Sequence, residues 1–411
     1  MASIGPLNHP DIGHRLHGSA WARAARHLLI FMTIPFLSGC WGSPSSNISG
    51  TFDLKAIAID PSTPTTLYVG TDGGGVYKST DGGASWAPIN QGLTDLKVTA
   101  LAIDWFTPYR IYAGTENGGI FSSFDYGESW MFNQAPITDI RAIVIDRNVC
   151  PPATPPFPSC QWIFVASQTS GVWWSQNAGS KYSQFNNSPS NVTAMAIYPT
   201  TLPNPTGRLY IGTERGGFFL TALHPTLDSL WTEALPGLKA NTQEDVVSLA
   251  VRPDVISELY VGTSGEGISS STVGIYKSTD AGTTFDHVYT PNYPFTIYFV
   301  VPVVGPNTTD LTLYAGSDGI VRSVDFGNVG SWCILWDDGK CQNNTPSKIL
   351  QPGLTAFAVE LFKHTDSNGN VSFLIDSTTN PPRPTLYAAL FNRQFIKTTD
   401  GGQTWTTLSV K

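Results

Sequence analysis

The sequence predicts an all-β fold, a single seven-bladed β-propeller with four antiparallel strands per blade, and three recurrences predict it. A β-rich run appears seven times, as "LYVGT" at 67, "IYAGT" at 111, "IFVAS" at 163, "LYIGT" at 209, "LYVGT" at 259, "LYAGS" at 313 and "LYAAL" at 386. Upstream of each lies an apolar alternation: "KAIAID", "VTALAID", "IRAIVID", "VTAMAIY", "VVSLAVR", "TIYFVVP" and "LTAFAVE". Downstream of most comes a polar turn that restarts on an aromatic, as in "YKSTDGGASW", Tyr77 to Trp86. Self-similarity at a period of about 45 to 50 residues marks a repeat architecture, in which a unit with two apolar faces must stack on its neighbours to bury them.

Each unit therefore reads as strand A, a loop, strand B, a glycine-rich turn, strand C, the polar turn and strand D starting at the aromatic. Four short antiparallel strands per unit favour a ring of blades over a linear β-solenoid, whose coils have no internal hairpins. Composition agrees: 39 Gly, 30 Pro, 12% aromatic and only 13% charged residues are poor in helix formers and rich in turn and strand formers. The units start at intervals of 44, 52, 46, 50, 54 and 73 residues, so loops absorb the differences. The outstanding loops are the proline-rich segment 150 to 160, the B–C turn from Ser264 to Gly274, the segment from Cys333 to Gln351 and the A–B excursion from about Glu360 to Arg383. Strand A of the first unit starts near Lys55 and "TWTTLSV", Thr404 to Val410, supplies strand D of the last, so each terminal blade is complete in its own sequence.

The N-terminal segment precedes the repeats. Arg15, Arg23 and Arg26 come before "LLIFMTIPFL", Leu28 to Leu37, which is too short to span a bilayer comfortably, and the run ends in "LSGC". Leu37, Ser38, Gly39 and Cys40 resemble the lipobox of bacterial lipoproteins, in which the cysteine is lipidated and becomes the first residue; an ordinary secretory signal, or a short membrane anchor that happens to carry a cysteine, is the alternative. The resemblance implies a signal peptide over 1–39, a lipidated tether over 40–51, the propeller over 52–411, and a protein exported and anchored to a bacterial membrane, the outer one favoured. Without residues 1–39 the chain keeps 20 basic and 30 acidic groups, a net charge of −10. Such an acidic chain without a basic run argues against nucleic acid as partner. The remaining cysteines fall in two close pairs, Cys150 with Cys160 and Cys333 with Cys341, expected to be local disulfides in an oxidising compartment; a metal site is the rival, with neither zinc-knuckle spacing nor an adjacent His to support it.

The polar turn resembles the Asp-box, or BNR repeat, S-x-D-x-G-x-[ST]-W, of sialidases and sortilin-like receptors, which joins the third and fourth strands of a propeller blade. Ser79, Asp81, Gly83, Ser85 and Trp86 match it, as do Ser123, Asp125, Gly127, Ser129 and Trp130, and, with Thr for Ser, Thr398, Asp400, Gly402, Thr404 and Trp405. Ser278, Asp280, Gly282, Thr284 and Phe285 carry Phe for Trp. Ser175, Asn177, Gly179 and Tyr182 are a weakened copy, and Ser323, Asp325 and Gly327 have two extra residues before Ser331 and Trp332. The fourth unit keeps only Trp231. An aspartate here accepts hydrogen bonds from its own turn, glycine supplies a positive φ and the aromatic packs between blades, so these acids are read as structural.

Little points to chemistry. A sialidase needs an arginine triad and an F/Y-R-I-P motif; the nearest match, "YRIY" from Tyr109 to Tyr112, lacks the proline, and Arg110 reads as a strand-edge residue. The phrasing of the units is also similar to that of two-propeller xyloglucan hydrolases, whose cleft lies between two propellers, whereas one propeller is expected here. The length, single ring and exported character resemble the photosystem II assembly factor, a seven-bladed Asp-box propeller that is a binding scaffold and uses an arginine patch. Arg215 and Arg393 alone fall in B–C turns, beside the acids Asp72, Glu116, Glu214 and Asp318, and these six are the candidate residues ringing one mouth of the channel. "KYSQFNN" and "YTPNYPF" set aromatics beside amides, fit either for a ligand or for packing between blades. "TDSNGNVS", Thr365 to Ser372, lacks the closing Glu of a calcium loop and reads as a hairpin tip. His224, His287 and His364 are isolated, so no metal or other cofactor is expected. The reading is a monomeric, non-catalytic binding or assembly scaffold for a protein partner; a glycan-binding or glycoside hydrolase propeller is the alternative.

Overall fold

A computed structural model describes residues 52–408, apart from 105–106, 147–161, 199–206, 215–216, 223–230, 234–244, 253–254, 256, 266–272, 291–298, 305–310, 317–319, 324–327, 329–331, 336–340, 343–353, 360–361, 366–370, 375–384, 391–394 and 401–403. Six sheets have four antiparallel strands, named A to D from the inside outward. They are the first blade (Leu54–Ile59, Leu67–Thr71, Gly75–Ser79, Ala87–Pro88), the second (Val98–Ile103, Ile111–Thr115, Ile120–Ser123, Met131–Phe132) and the third (Ile140–Asp146, Trp162–Ser167, Gly171–Ser175, Ser183–Gln184). The fourth (Val192–Tyr198, Arg208–Thr213, Gly217–Ala222, Thr232–Glu233), the fifth (Asp245–Val251, Leu259–Ser264, Ile275–Ser278, Asp286–Tyr289) and the C-terminal blade (Leu354–Val359, Leu386–Leu390, Phe395–Thr398, Thr406–Leu408) complete the set.

The expectation of seven four-stranded blades is corrected to six. Between the fifth and the C-terminal blades lies a sheet of five strands: Phe299–Val304, Leu311–Gly316, Ile320–Ser323, Trp332–Leu335 and Cys341–Gln342. The reason is local. The chain after Trp332–Leu335 turns back on itself and pairs Leu335 with Cys341 and Ile334 with Gln342, adding an outer strand. Cys341 therefore faces Leu335, two positions from Cys333; the side chains of both cysteines lie outside the described residues, as do Cys40, Cys150 and Cys160. The A–B excursion of the C-terminal blade carries a hairpin of its own, Phe362–Thr365 against Val371–Leu374. The innermost strands neighbour one another in chain order, and Leu354–Val359 lies beside Leu54–Ile59, which closes the ring.

The recurring "YVGT" motif is explained by what meets it. Its tyrosine is buried in the first, second, fourth, fifth and C-terminal blades. A Cβ on Gly114 would stand 2.3 Å from Ile140, and one on Gly212 2.2 Å from Val246, so the glycine admits strand A of the next blade. The threonine closes the B–C turn: the Thr71 hydroxyl donates to the Gly75 carbonyl at 2.9 Å and accepts from the Gly74 N–H at 3.0 Å.

The Asp-boxes form the turn that their residues imply. Asp81 Oδ1 accepts from the Ser79 hydroxyl and the Ser85 N–H, both at 2.8 Å, and Oδ2 accepts from the Ser85 hydroxyl at 2.5 Å. Asp125, Asp280 and Asp400 repeat this with Ser123 and Ser129, Ser278 and Thr284, and Thr398 and Thr404. Asn177 keeps the turn, accepting from Ser175 at 2.8 Å and from the Lys181 N–H at 3.0 Å. The residue after the acid has a positive φ in each described box: Gly82 at 70°, Tyr126 at 60°, Ala178 at 54° and Ala281 at 58°. Asp325, Gly327 and Gly402 lie outside the described residues.

That left-handed residue turns its carbonyl toward the preceding blade, where a strand-B tyrosine donates to it. Tyr68 bonds Tyr126 O at 3.2 Å, Tyr112 bonds Ala178 O at 3.2 Å and Tyr210 bonds Ala281 O at 3.3 Å. Burial pushes all three phenols up, so the hydroxyls remain donors at any ordinary pH. The box aromatic presses on the same neighbour. Trp86 meets Phe395 edge-on at 5.4 Å across the seam between first and C-terminal blades, Phe285 meets Phe218 at 4.9 Å, and the Trp130 indole donates to Ile89 O at 2.7 Å. Gly127 takes a φ of 87°, which favours glycine, and a Cβ there would push the terminal methyl of Ile89, 2.4 Å away. Two blades depart from this: in the fifth, Tyr260 donates to Glu258 of its own blade, and in the third, Phe164 replaces tyrosine and the unit after it is the one whose turn has lost acid and glycine. There Phe185 packs on Phe164 at 6.2 Å and on Trp231 at 5.4 Å.

Two outcomes follow. Tyr68→Phe or Tyr112→Phe should each cost about 1 kcal/mol in urea unfolding by leaving a carbonyl without its donor, and Phe164→Tyr should also destabilise, because it adds a hydroxyl without the turn that would receive it; unchanged midpoints would sink the idea. Asp81→Ala should cost about 1 to 3 kcal/mol. Burial raises the Asp81, Asp125 and Asp280 carboxyls, but the turn's hydrogen bonds outweigh it and hold all three below the usual range. Their contribution should then be complete above about pH 4 and be lost as pH falls through the depressed folded values. Melts from pH 6 to pH 2 should show Asp81→Asn less acid-sensitive than the wild type.

Candidate functional site, the B–C rim of the ring

The end of each strand B and the start of each strand A meet at one rim, where the candidate residues Asp72, Glu116 and Glu214 lie. Arg215, Asp318 and Arg393 are outside the described residues. A chain of backbone contacts runs along this rim from the first blade to the fourth. Asp72 N–H donates to Asp53 O at 2.8 Å, and Asp72 bridges Lys97 of the second blade. Glu116 N–H then donates to Lys97 O at 3.0 Å, Asp139 to Glu116 at 2.6 Å, Gln168 to Asp139 at 3.0 Å, Asn191 to Gln168 at 2.7 Å and Glu214 to Asn191 at 2.9 Å. Bonds within a blade alternate with bonds across a seam. Asp139 and Asn191 reach this geometry at φ 53° and 58°, a conformation that Asp and Asn tolerate better than most residues.

The side chains form a second belt over the first. Lys55 stands 4.0 Å from Asp72, and Lys97 stands 2.8 Å from Glu116, each pair partly exposed. Arg141 pairs with Asp139 at 2.9 Å and also donates to the Gln168 amide oxygen, while Gln168 donates through its amide nitrogen to Glu214. The Glu116 carboxylate beside Lys97 holds that ammonium above the ordinary lysine range. Each described candidate carboxylate is thus engaged by a cation or an amide. Among the described residues no three His, Cys, Asp or Glu side chains cluster as metal ligands.

Sequence reasoning placed the acids on this rim and missed their partners. Lys97, Asp139, Asn191 and Asp53 each directly precede a strand A, and the recurrence of a polar residue at that position was the available signal. The second residue of strand A splits into two roles. Lys55 and Arg141 reach the rim, whereas Thr99 and Thr193 bond Gly114 O at 3.2 Å and Gly212 O at 3.1 Å and also donate to Ile140 O and Val246 O of the next blade. In "KYSQFNN" the aromatics are interior: Tyr182 and Phe185 are buried between blades. Arg110 directly precedes a strand B, as its strand-edge reading expected.

In Glu116→Gln the Lys97 ammonium should titrate at lower pH than in the wild type, because a neutral amide no longer favours the charged form. Heteronuclear NMR of the lysine side chains reads this directly, and an unmoved titration would show that the pair does not persist in solution.

No protein-family model matches the chain, and no curated protein matches it. Among solved structures it is similar to a GH74 enzyme of Niastella koreensis, with 16% identity and a TM-score of 0.51 over 87% of this chain and 65% of that one, so it spans slightly under two thirds of that enzyme. It is similar also to YCF48 bound to D1 peptide, with 12% identity and a TM-score of 0.50 over 85% of this chain and 94% of that one. At these identities the likeness is one of fold: the chain is an all-β propeller.

Proposed function

We propose that this propeller is a non-catalytic binding scaffold for a protein partner, exported and held to a bacterial membrane by acylated Cys40, with residues 1–39 as signal peptide, 40–51 as tether and 52–411 as the propeller. The five-stranded sheet serves as the ring's remaining blade, with its extra strand as an edge. The observation that carries the function is the state of the rim. Asp72, Glu116 and Glu214 are each tied to Lys55, Lys97 or Gln168, and a belt of alternating sign and hydrogen-bonding capacity suits a polar protein surface. A glycoside hydrolase would instead need two carboxyl groups poised across a bound sugar with separated protonation states. The fold shared with YCF48 bound to D1 peptide and with a GH74 enzyme is compatible with either reading.

The acylated protein, cross-linked in its native membrane, should yield one dominant protein adduct. That adduct should weaken at least tenfold in Glu116→Lys and persist in the folded fraction of Asp81→Ala. Release of reducing ends from xyloglucan or other polysaccharides, abolished by Glu116→Gln or Glu214→Gln, would overturn the scaffold reading in favour of a glycosidase. Intact-mass measurement of the exported protein should find a diacyl or triacyl Cys40 as the first residue, and a retained 1–39 segment would refute the anchor.

A further inference from the structure

The five-stranded sheet holds its outermost strand through the pairs Ile334 with Gln342 and Leu335 with Cys341. Each of the two strands at this edge carries one cysteine. On its inner side Cys333 is paired with Arg322, and the outer pairs follow one another without a bulge. Residues directly opposite in a ladder share a face, and so do residues i and i+2 of one strand. Leu335 shares a face with Cys341 by the first rule and with Cys333 by the second. The backbone therefore sets both cysteines on one face of neighbouring strands, two positions apart along the ladder.

That position is diagonal. Diagonal residues of an antiparallel pair lie about 7 to 8 Å apart, whereas directly opposite ones have Cα atoms about 4.5 to 5.5 Å apart. A disulfide spans Cα separations of about 4.4 to 6.8 Å and demands backbone movement beyond that range. In the register shown, the two cysteines thus stand just past bridging distance. A slip of two residues would bring Cys341 opposite Cys333, and because the side-chain period is two, every residue of the short strand would keep its face. The strand is placed to make that slip, being two residues long and the last of its sheet.

We propose that Cys333 and Cys341 form a redox latch that sets the register of this outer strand. As two thiols they leave Cys341 opposite Leu335. As a disulfide they hold Cys341 opposite Cys333, with the pairing moved two residues toward Trp332. The route between the states is exchange with a small disulfide such as oxidised glutathione. One cysteine thiolate attacks a glutathione sulfur and expels the first glutathione, and the second cysteine thiolate then displaces the other. One cysteine–cysteine bond forms, one glutathione disulfide breaks, two electrons pass to glutathione, and the two cysteine protons end on its two thiols. The slip exchanges one short ladder for another of similar length, so the covalent bond decides between them. An oxidising compartment favours the slipped register and a reducing poise the one shown. What changes is the outline of the sheet's edge, the part of a sheet with which other chains can pair.

The full chain in detergent micelles, with isotopically labelled cysteine and leucine, tests the latch after equilibration with reduced or oxidised glutathione. Peptide mapping without reduction should find the Cys333–Cys341 link at least about tenfold more abundant under excess oxidised glutathione than under excess thiol. Cross-strand NOEs from Cys341 should run to Leu335 in the reduced protein and to Cys333 in the oxidised one, and Cys333→Ser should keep the Leu335 contact under both conditions. A linked protein that retains the contact between Cys341 and Leu335 overturns the slip. Cysteines that stay unlinked, or that join Cys150 or Cys160 instead, overturn the latch. A link that excess thiol cannot open in the folded protein would be a fixed staple, and overturns the switch as well.

Discussion

A buried tyrosine must place its hydroxyl somewhere, and at three seams of this ring the next unit's turn receives it. Tyr68, Tyr112 and Tyr210 each donate across a seam to the carbonyl of a residue held in the left-handed region by an Asp-box. The box aspartate fixes the turn, the turn aims the carbonyl, and the carbonyl holds the neighbouring blade in register. Hydrophobic packing between blades supplies most of the stabilisation, but it is non-directional. The hydrogen bond gives the packing its angle, since a blade displaced along the seam would strand a donor and an acceptor in the interior.

A second set of contacts acts at the other end of the strands. Along the B–C rim, backbone bonds alternate within and between the first four blades, and ion pairs lie above them. The C–D turns are thus joined from below by tyrosines and the B–C rim from above by main chain, with the Gln168–Glu214 side-chain bond across one seam, and the ion pairs Lys55–Asp72, Lys97–Glu116 and Arg141–Asp139 stay within single blades. Separation of this kind lets a surface change its recognition properties while the scaffold stays constant.

The Asp-box was legible because its physics is local: five residues in sequence form one turn, and their identities state its hydrogen bonds. Strand alternation was legible for the same reason. The fifth strand ending in Cys341–Gln342 was not, since a two-residue strand has no periodicity to detect and its segment looked like a loop closed by two cysteines. Rim acids could be placed from the position of the B–C turns, but Gln168 could not be assigned to Glu214, because pairing across a seam depends on how blades meet. Tyr126 shows the same limit: in sequence it is a variable box position, and only its φ and exposure single it out.

The donor and acceptor of the Tyr68, Tyr112 and Tyr210 bonds belong to different units, and this bears on how such a chain can grow. A unit copied whole brings both a tyrosine for its successor and a turn for its predecessor, so every new seam is satisfied wherever the copy lands. Decay is constrained differently: when one turn degenerates, the residue released from its duty lies in the preceding unit, 58 to 71 positions away at the three bonded seams. Phe164 before the fourth turn, which lacks acid and glycine, fits that rule, with Phe185 and Trp231 filling the seam. Lineages of this chain should therefore record paired losses, in which tyrosine and box vanish together across a unit boundary, and the natural unit of inheritance is the seam rather than the blade.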